Sequence, residues 1–207
     1  MEITIIGTGN MARGIATRAL AGGHTVTLLG HEGDDAPALA GQLDGPVKTG
    51  TVGDPLSGDV VVLAVWYQAL DDVLSHYGDQ LAGKTVVDIT NPVDPQTYAP
   101  LTVEAGSAAQ EIARKAPGAS VVKAFNTTFA ASLLEGRVAG QPLDVFVASD
   151  DDEAKAKVRE LAESAGLRVL DAGPLARARQ LEGAGYLHMA IQPAIDGTYA
   201  IALRIVS

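Results

Sequence analysis

Cysteine is absent from the 207 residues, which excludes disulfides, thiolate metal sites and a cysteine nucleophile. No apolar run approaches the roughly 18 residues of a membrane-spanning helix, and the N-terminal sequence lacks the basic region and cleavage site of a signal peptide. Basic residues are scarce, because 15 Lys and Arg stand against 25 Asp and Glu, for a net charge of −10. Such a chain repels nucleic acid and anionic lipid. We therefore expect a cytoplasmic protein whose partners are small molecules, with no nucleic acid and no membrane.

The pattern of apolar residues predicts the fold class. Hydrophobic residues make up 47% of the chain and charged residues 19%, which is enough apolar material for a sizeable core. Short β-branched runs alternate with segments of helical period, and a run such as 60–65 is apolar throughout, as a strand buried on both faces is. This alternation predicts an α/β fold with a doubly wound parallel sheet. The predicted strands cover residues 3–6, 25–29, 47–52, 60–65, 85–89, 121–125, 145–148 and 168–170.

Helix signals lie between these strands. Pro37 is suited to the first position of a short helix. Residues 67–81 carry a single apolar stripe at helical spacing. Ser107 with Gln110 forms a capping-box pattern for a helix that runs through Lys115.

The chain after residue 90 is less regular. Residues 91–106 contain three prolines and little periodicity, which predicts a long loop of the kind that often serves function. We place a boundary at Ser149, with a dinucleotide-binding domain in 1–149 and a small C-terminal α/β lobe in 150–207 that completes the site. The tail predicts a helix broken near Gln192-Pro193 and a final strand over 198–206.

A glycine-rich turn follows the first predicted strand. Residues 3–12 read I-T-I-I-G-T-G-N-M-A, which is a strand, a G-x-G-x-x-A turn and a helix start. Gly7 permits the tight turn, Gly9 leaves no Cβ to block a pyrophosphate, and Ala12 keeps the helix close to the sheet. The helix N-terminus then offers free N–H groups to the diphosphate. The pattern predicts a Rossmann NAD(P)-binding fold. A Rossmann-like domain that has lost its ligand is the alternative.

The residues after the second strand bear on the choice between NAD and NADP. A carboxylate there binds the ribose hydroxyl of NAD, whereas cationic donors accommodate the 2′-phosphate of NADP. The chain has Gly30 at this point, followed by His31, which is able to donate to a phosphate, and Glu32, which is able to bind a ribose or repel a phosphate. The pattern slightly favours NADP, and solvated loop residues are the alternative.

Four further segments carry a family resemblance. V-W-Y at 65–67, D-I-T-N-P at 88–92 and K-A-F-N-T at 123–127 each follow a strand, and D-A-G-P-L lies at 171–175. Together with the glycine turn, this set resembles the NADPH-dependent F420 reductases over nearly the whole chain, and the reductase domain of the STEAP metalloreductases looks related. The D-A-G-P-L segment, followed by Arg179 and Glu182, is the more specific part.

The resemblance implies a Rossmann domain with a small C-terminal lobe, a homodimer, and hydride transfer between NADP and the deazaflavin coenzyme F420. It also implies no catalytic acid or base, because the two cofactors carry the chemistry. No metal-binding motif occurs in the sequence. The residues that the motif and the resemblance together assign to cofactor binding are Gly7, Thr8, Gly9, Asn10, Met11, Gly30, His31, Val65, Trp66, Asn91, Pro92, Phe125 and Asn126.

Several of these residues have structural alternatives. Trp66 is as well explained as a core anchor, and Asn126 as a helix cap. Lys123 is explained as a strand end in solvent, and Arg179 with Glu182 as a surface pair. Two other functions also stay open. One is the reduction of a small imine or carbonyl, since the glycine turn resembles that of pyrroline-5-carboxylate reductase, and the other is a non-catalytic NAD(P)-binding sensor.

Overall fold

The computed structural model describes residues 1–33, 35–195 and 197–206. Its main sheet has eight strands in the order β10-β9-β6-β5-β4-β1-β2-β3, and a short β7-β8 hairpin lies beside it. The strands are β1 (Glu2–Ile6), β2 (Thr25–Gly30), β3 (Val47–Thr51), β4 (Val60–Leu63), β5 (Thr85–Asp88), β6 (Ser120–Lys123), β7 (Arg137–Val138), β8 (Gln141–Pro142), β9 (Asp144–Ala148) and β10 (Arg168–Gly173).

Helices cover both faces of this sheet. They are α1 (Asn10–Ala21), α2 (Asp35–Ala40), α3 (Leu70–Tyr77), α4 (Ala108–Lys115), α5 (Ala130–Glu135), α6 (Asp152–Ser164) and α7 (Ala178–Ala190). Neighbouring residues of one strand point to opposite faces. Ile5 belongs to the core cluster that includes residues of α1 and α6, and Ile6 belongs to the cluster that includes residues of α3 and α4. The predicted α/β doubly wound fold is confirmed. Within the described ranges, no helix has both the length and the hydropathy that crossing a membrane requires.

The strand order places a switch point at β1. Strands β1 to β6 are parallel, and the chain leaves β1 toward β2 on one side and later returns to β4 on the other. Ligands of open α/β sheets bind at the carboxyl ends of the strands beside such a point. On the far side, β9 pairs with β6 in the antiparallel sense through Lys123 and Ala148, and β10 runs parallel to β9.

Local sequence patterns predicted most of the helices and strands. Ser107 caps α4, and its Oγ accepts a hydrogen bond from the Gln110 N–H at 3.2 Å. The stripe over 67–81 folds as α3 flanked by two 3₁₀ turns, and α2 begins two residues before Pro37.

The prediction of a final strand was wrong for the described residues 197–206, which form neither helix nor strand. Side chains satisfy the backbone of this segment in place of a neighbouring strand. The Ile205 N–H donates to Asp144 Oδ2 at 2.8 Å, and the Ile205 carbonyl accepts from the Arg168 guanidinium at 2.5 Å. An alternating apolar pattern cannot distinguish this arrangement from a ladder.

Candidate functional site

A cleft of about 580 Å³ lies over the carboxyl ends of the central strands. It runs from the glycine turn before α1 to the loops that follow β5 and β6. The predicted site residues that line it are Gly7, Thr8, Gly9, Asn10, Met11, His31, Val65, Trp66, Asn91 and Asn126. The predicted residues Gly30, Pro92 and Phe125 are buried and are not among the described residues that line the cleft.

The two glycines of the turn differ in their backbone conformation and in the space around them. Gly7 has a φ of +116°, and a Cβ on it would lie 2.2 Å from the Ala64 carbonyl oxygen, so only glycine fits. Gly9 caps α1 with ordinary extended angles, and a Cβ there would meet no atom within 4 Å. Gly9 therefore faces open space over the N-terminus of α1. This space suits a diphosphate, because the first N–H groups of a helix have no partner within it.

The turn after β6 has a strained backbone. Phe125 has a φ of +60°, a left-handed conformation that a bulky residue seldom adopts. Its ring is buried in the core, and its carbonyl accepts hydrogen bonds from both the N–H and the hydroxyl of Thr128. The strained residue thus anchors the turn while the next residue, Asn126, reaches the cleft.

Asn91 and Asn126 form one wall of the cleft together with α7. The Asn126 amide group donates both to Asn91 Oδ1 at 2.9 Å and to the Leu181 carbonyl of α7 at 2.8 Å. A Cβ on Gly185 would lie 2.6 Å from Asn91 Oδ1, so α7 packs directly on this pair. Asn126 is thus placed in the cleft wall and caps no helix, since the N-cap of α5 is Phe129.

Behind the wall lies a buried ionic cluster that the sequence interpretation missed. Lys123 is fully buried, and its Nζ donates at 2.8 Å both to Asp88 Oδ2 and to Glu182 Oε1 and at 2.5 Å to the Thr90 carbonyl. Glu182 also accepts from the Ala108 N–H at the start of α4. Burial raises the pKa of Glu182, an effect that the positive charge of Lys123 opposes. The alternatives of a solvated strand end and a surface pair were therefore wrong.

Two buried polar atoms of the cleft lining have no hydrogen-bond partner in the described structure. They are Oγ1 of Thr90, whose residue is 3% exposed, and Oδ1 of Asn126, whose residue is 4% exposed. A hydroxyl both donates and accepts, and an amide oxygen accepts. Buried polar groups are rarely left unsatisfied, so these two atoms are unusual features of the residues in this wall.

Aromatic side chains lie on the cleft as well. Trp66 lines the cleft and is 55% exposed, which excludes its role as a core anchor. The Tyr67 hydroxyl donates to Glu111 Oε2 at 2.7 Å. Burial, and then this bond to Glu111, raise the pKa of Tyr67 to about 12. The Tyr67 hydroxyl is thus held by its hydrogen bond to Glu111, and it is a poor proton donor near neutral pH.

Some cleft residues were not predicted. Thr90 lies two residues after the end of β5, and this position was a usable signal. Phe129 and Met189 also line the cleft, but they come from the start of α5 and the end of α7. Only the tertiary packing brings these two segments to the site, so no local pattern could have identified them.

Comparisons with known proteins agree with this geometry. Residues 2–92 match the family described as NADP oxidoreductase, coenzyme F420-dependent. The F420-dependent NADP reductase of Methanothermobacter thermautotrophicus is 34% identical over 200 residues, which cover 88% of this chain and 85% of that protein. A solved Arthrobacter structure, provisionally assigned as an F420-dependent NADP reductase, superposes with a TM-score of 0.85 at 31% identity, covering 99% of both chains.

A longer protein is similar as well. The metalloreductase STEAP3 of Rattus norvegicus is 33% identical over 183 residues, which cover 87% of this chain. The chain spans only 36% of the length of that relative. With the fold, the cleft and the near full-length match to the archaeal reductase, the chain belongs to the family of F420-dependent NADP oxidoreductases.

Proposed function

We propose that the protein transfers a hydride between NADP(H) and a deazaflavin of the coenzyme F420 type. One observation carries this proposal. The glycine turn that suits a diphosphate and the polar wall formed by Asn91 and Asn126 line the same cleft. The cleft thus offers a phosphate end and a ring end to one extended redox ligand. Family membership supplies the ligand classes.

At the phosphate end of the cleft, each residue has a separate role. Gly9 leaves room for the diphosphate, and the backbone from Thr8 to Met11 faces it with N–H donors at the start of α1. His31 lies at the adenosine side. Gly7 does not contact the ligand in this proposal; it permits the turn that aims the helix.

At the ring end of the cleft, the protein orients the cofactor ring and shields it from water. We assign the polar edge of a ring to Thr90, Asn91 and Asn126, because these polar residues line this end of the cleft. Val65, Trp66 and Phe129 supply the apolar surface that excludes water. When bound, the nicotinamide and the deazaflavin supply the hydride donor and acceptor carbons. Such carbons react when held about 3–3.5 Å apart, so the contribution of the protein is orientation.

We also propose that the protein is a cytoplasmic homodimer and that it has no nucleic acid partner. Leu187 on α7 is 62% exposed, and Ile191 and Ile195, which follow the helix, are 38% and 53% exposed, which supports a protein contact there. The net charge of −10 supports the absence of nucleic acid. The division of the chain at Ser149 stays a prediction.

A direct assay tests the function. Purified protein is mixed with NADPH and oxidised F420, and the deazaflavin absorbance is followed together with NADPH consumption. We expect both signals to fall together, one F420 reduced for each NADPH oxidised. Parallel reactions contain FMN or a small cyclic imine in place of F420. Loss of NADPH with the imine and none with F420 would contradict the proposal.

The two alternative functions are not favoured. A non-catalytic sensor predicts tight NADPH binding with no hydride transfer to any acceptor. A reductase of small imines predicts turnover in the imine reaction alone. The assay above separates all three outcomes.

A further inference from the structure

Phe129, which lines the ring end of the cleft, contacts two other aromatic rings. The buried His188 of α7 has its ring centroid 4.5 Å from that of Phe129. The Tyr199 centroid lies 5.1 Å from that of Phe129 at an interplanar angle of 86°, which is the edge-to-face arrangement that aromatic pairs favour. The orientation of the Phe129 ring therefore depends on α7 and on the C-terminal segment that carries Tyr199.

This C-terminal segment is attached to the rest of the fold although its described residues 197–206 form neither helix nor strand. The Ser132 hydroxyl of α5 donates to the Ile201 carbonyl at 2.8 Å, and the Arg204 guanidinium donates to the Pro142 carbonyl at 2.7 Å. Ile205 is bonded to β9 and β10. Tyr199 thus reaches Phe129 from a segment that is held at several points along α5 and the outer strands.

The backbone of Tyr199 has a left-handed conformation that a bulky residue seldom adopts, with a φ of +56°. Its N–H donates to Oε1 of Gln192 at 3.1 Å, and Nε2 of Gln192 donates to the His188 carbonyl at 3.2 Å. Gln192 is buried, so these two bonds fix its amide group. A costly backbone conformation persists only where the surrounding structure determines it. The fold therefore holds the Tyr199 ring against Phe129 in spite of this cost.

We infer that Tyr199 is a positioning residue for the acceptor ring, because it holds Phe129 in the wall of the cleft. This inference rests on the proposed function. Tyr199 is not among the described residues that line the cleft, so it acts through Phe129. NADPH has an anchor of its own in the diphosphate site at the start of α1, whereas the acceptor ring depends on the ring end. Loss of the Tyr199 ring should therefore weaken acceptor binding and alignment and leave NADPH binding almost unchanged.

The test uses Tyr199→Asn, because asparagine tolerates the left-handed conformation and removes the ring. Calorimetry measures the dissociation constants of NADPH and of oxidised F420, the latter in the presence of NADP⁺, and the absorbance assay gives the turnover number. We expect the F420 constant to rise about threefold to tenfold, the size of one aromatic pair. Turnover should fall by at least as much, since ring alignment is lost as well. The NADPH constant should change by less than about twofold.

Two further variants separate positioning from a general loss of structure. Tyr199→Phe keeps the ring and should keep the F420 constant and the turnover number. Tyr98→Asn is the matched control, because Tyr98 has the same φ of +56° and is 46% exposed, against 41% for Tyr199. Tyr98 is not among the described residues that line the cleft or contact the Phe129 ring, so all three values should stay unchanged.

A double-mutant cycle tests whether Tyr199 acts through Phe129. Phe129→Leu should itself weaken F420 binding, and Tyr199→Asn in that background should add less than about a further twofold, because the ring that Tyr199 holds is already gone. An independent effect of the same factor in both backgrounds would overturn the inference.

Other results would overturn it as well. They are unchanged F420 binding in Tyr199→Asn, equal losses for NADPH and F420, equal losses in Tyr98→Asn, or no rescue by Tyr199→Phe. In each of these cases the proposed function survives. If the unchanged protein neither binds F420 nor transfers a hydride to it, the proposed function fails and the inference with it.

Discussion

Asn91 and Asn126 are joined by two hydrogen bonds, from Asn126 Nδ2 to Asn91 Oδ1 and from Asn91 Nδ2 to the Asn126 carbonyl, both at 2.9 Å. They follow β5 and β6, which are neighbouring parallel strands. Because Asn126 also donates to Leu181, the pair ties two strand ends to α7. The ring end of the cleft is thus a rigid wall assembled from three separate segments.

Two glycines of α7 test the importance of this packing. In Gly185→Ala the new Cβ would meet Asn91 Oδ1 at 2.6 Å, so α7 or the asparagine pair must move. We expect a loss of about 1–3 kcal/mol in the free energy of unfolding, as for an overpacked core, and a marked fall in turnover. Urea unfolding and the F420 assay measure the two effects.

Gly183→Ala is the control on the same helix, because Gly183 is exposed and its Cβ would meet nothing within 4 Å. It should stabilise the protein by up to about 1 kcal/mol through helix propensity, with turnover unchanged. Equal effects of the two substitutions would show that the contact between α7 and Asn91 has no role.

Substitutions of Gly9 and Gly7 in the glycine turn form a second matched pair. In Gly9→Val the backbone angles suit any residue, but the side chain enters the space that we assign to the diphosphate. We expect NADPH affinity to fall at least about tenfold, or 1.4 kcal/mol, while the free energy of unfolding falls by only about 1 kcal/mol, because valine is a poorer N-cap than glycine. Gly7→Ala should instead unfold the protein or weaken it by on the order of 3 kcal/mol, because its φ and the Ala64 carbonyl both exclude a side chain. A Gly9→Val variant that binds NADPH normally would contradict the diphosphate assignment.

The buried cluster should be costly to break. Lys123→Met leaves Asp88 and Glu182 without their cation in the interior. We expect a loss of about 3–5 kcal/mol in the free energy of unfolding. Lys115→Met is the control, since Lys115 makes ion pairs with Asp71 and Glu111 at the surface, where pairs contribute about 1 kcal/mol or less. Comparable losses in urea unfolding would refute the special role of burial.

Asp151, the N-cap residue of α6, should make the free energy of unfolding depend on pH. The Asp151 carboxylate accepts from the Ser120 hydroxyl and from the N–H groups of Ala154 and Glu153, and these bonds lower its pKa. A lowered carboxyl pKa stabilises the fold above the unfolded pKa, near 3.9, and this stabilisation is lost as the pH falls through the lower folded value.

Asp151→Ala should therefore cost about 1 kcal/mol at pH 7, with a smaller difference below about pH 4. Asp151→Asn keeps a cap acceptor and should lose less at pH 7. Urea titrations at several pH values measure the differences. A constant difference for Asp151→Ala down to about pH 2 would count against the charged cap.

Prediction from the sequence succeeded where local patterns decide the structure. The apolar runs located the strands, the turn at Gly7 and Gly9 located one end of the cleft, and Ser107 marked a helix start. The burial of Lys123 could not be predicted, because its partner Glu182 is 59 residues away. The final segment failed for the same reason, since the Asp144 side chain satisfies its backbone from a distant strand.

Calorimetric titration of the protein with NADPH tests the central claim most directly, because the proposed function requires a dinucleotide on the glycine turn. We predict one binding event per chain for the unchanged protein and a binding constant at least about tenfold weaker for Gly9→Val. No heat of binding at millimolar NADPH, from protein that is folded by circular dichroism, would contradict the account.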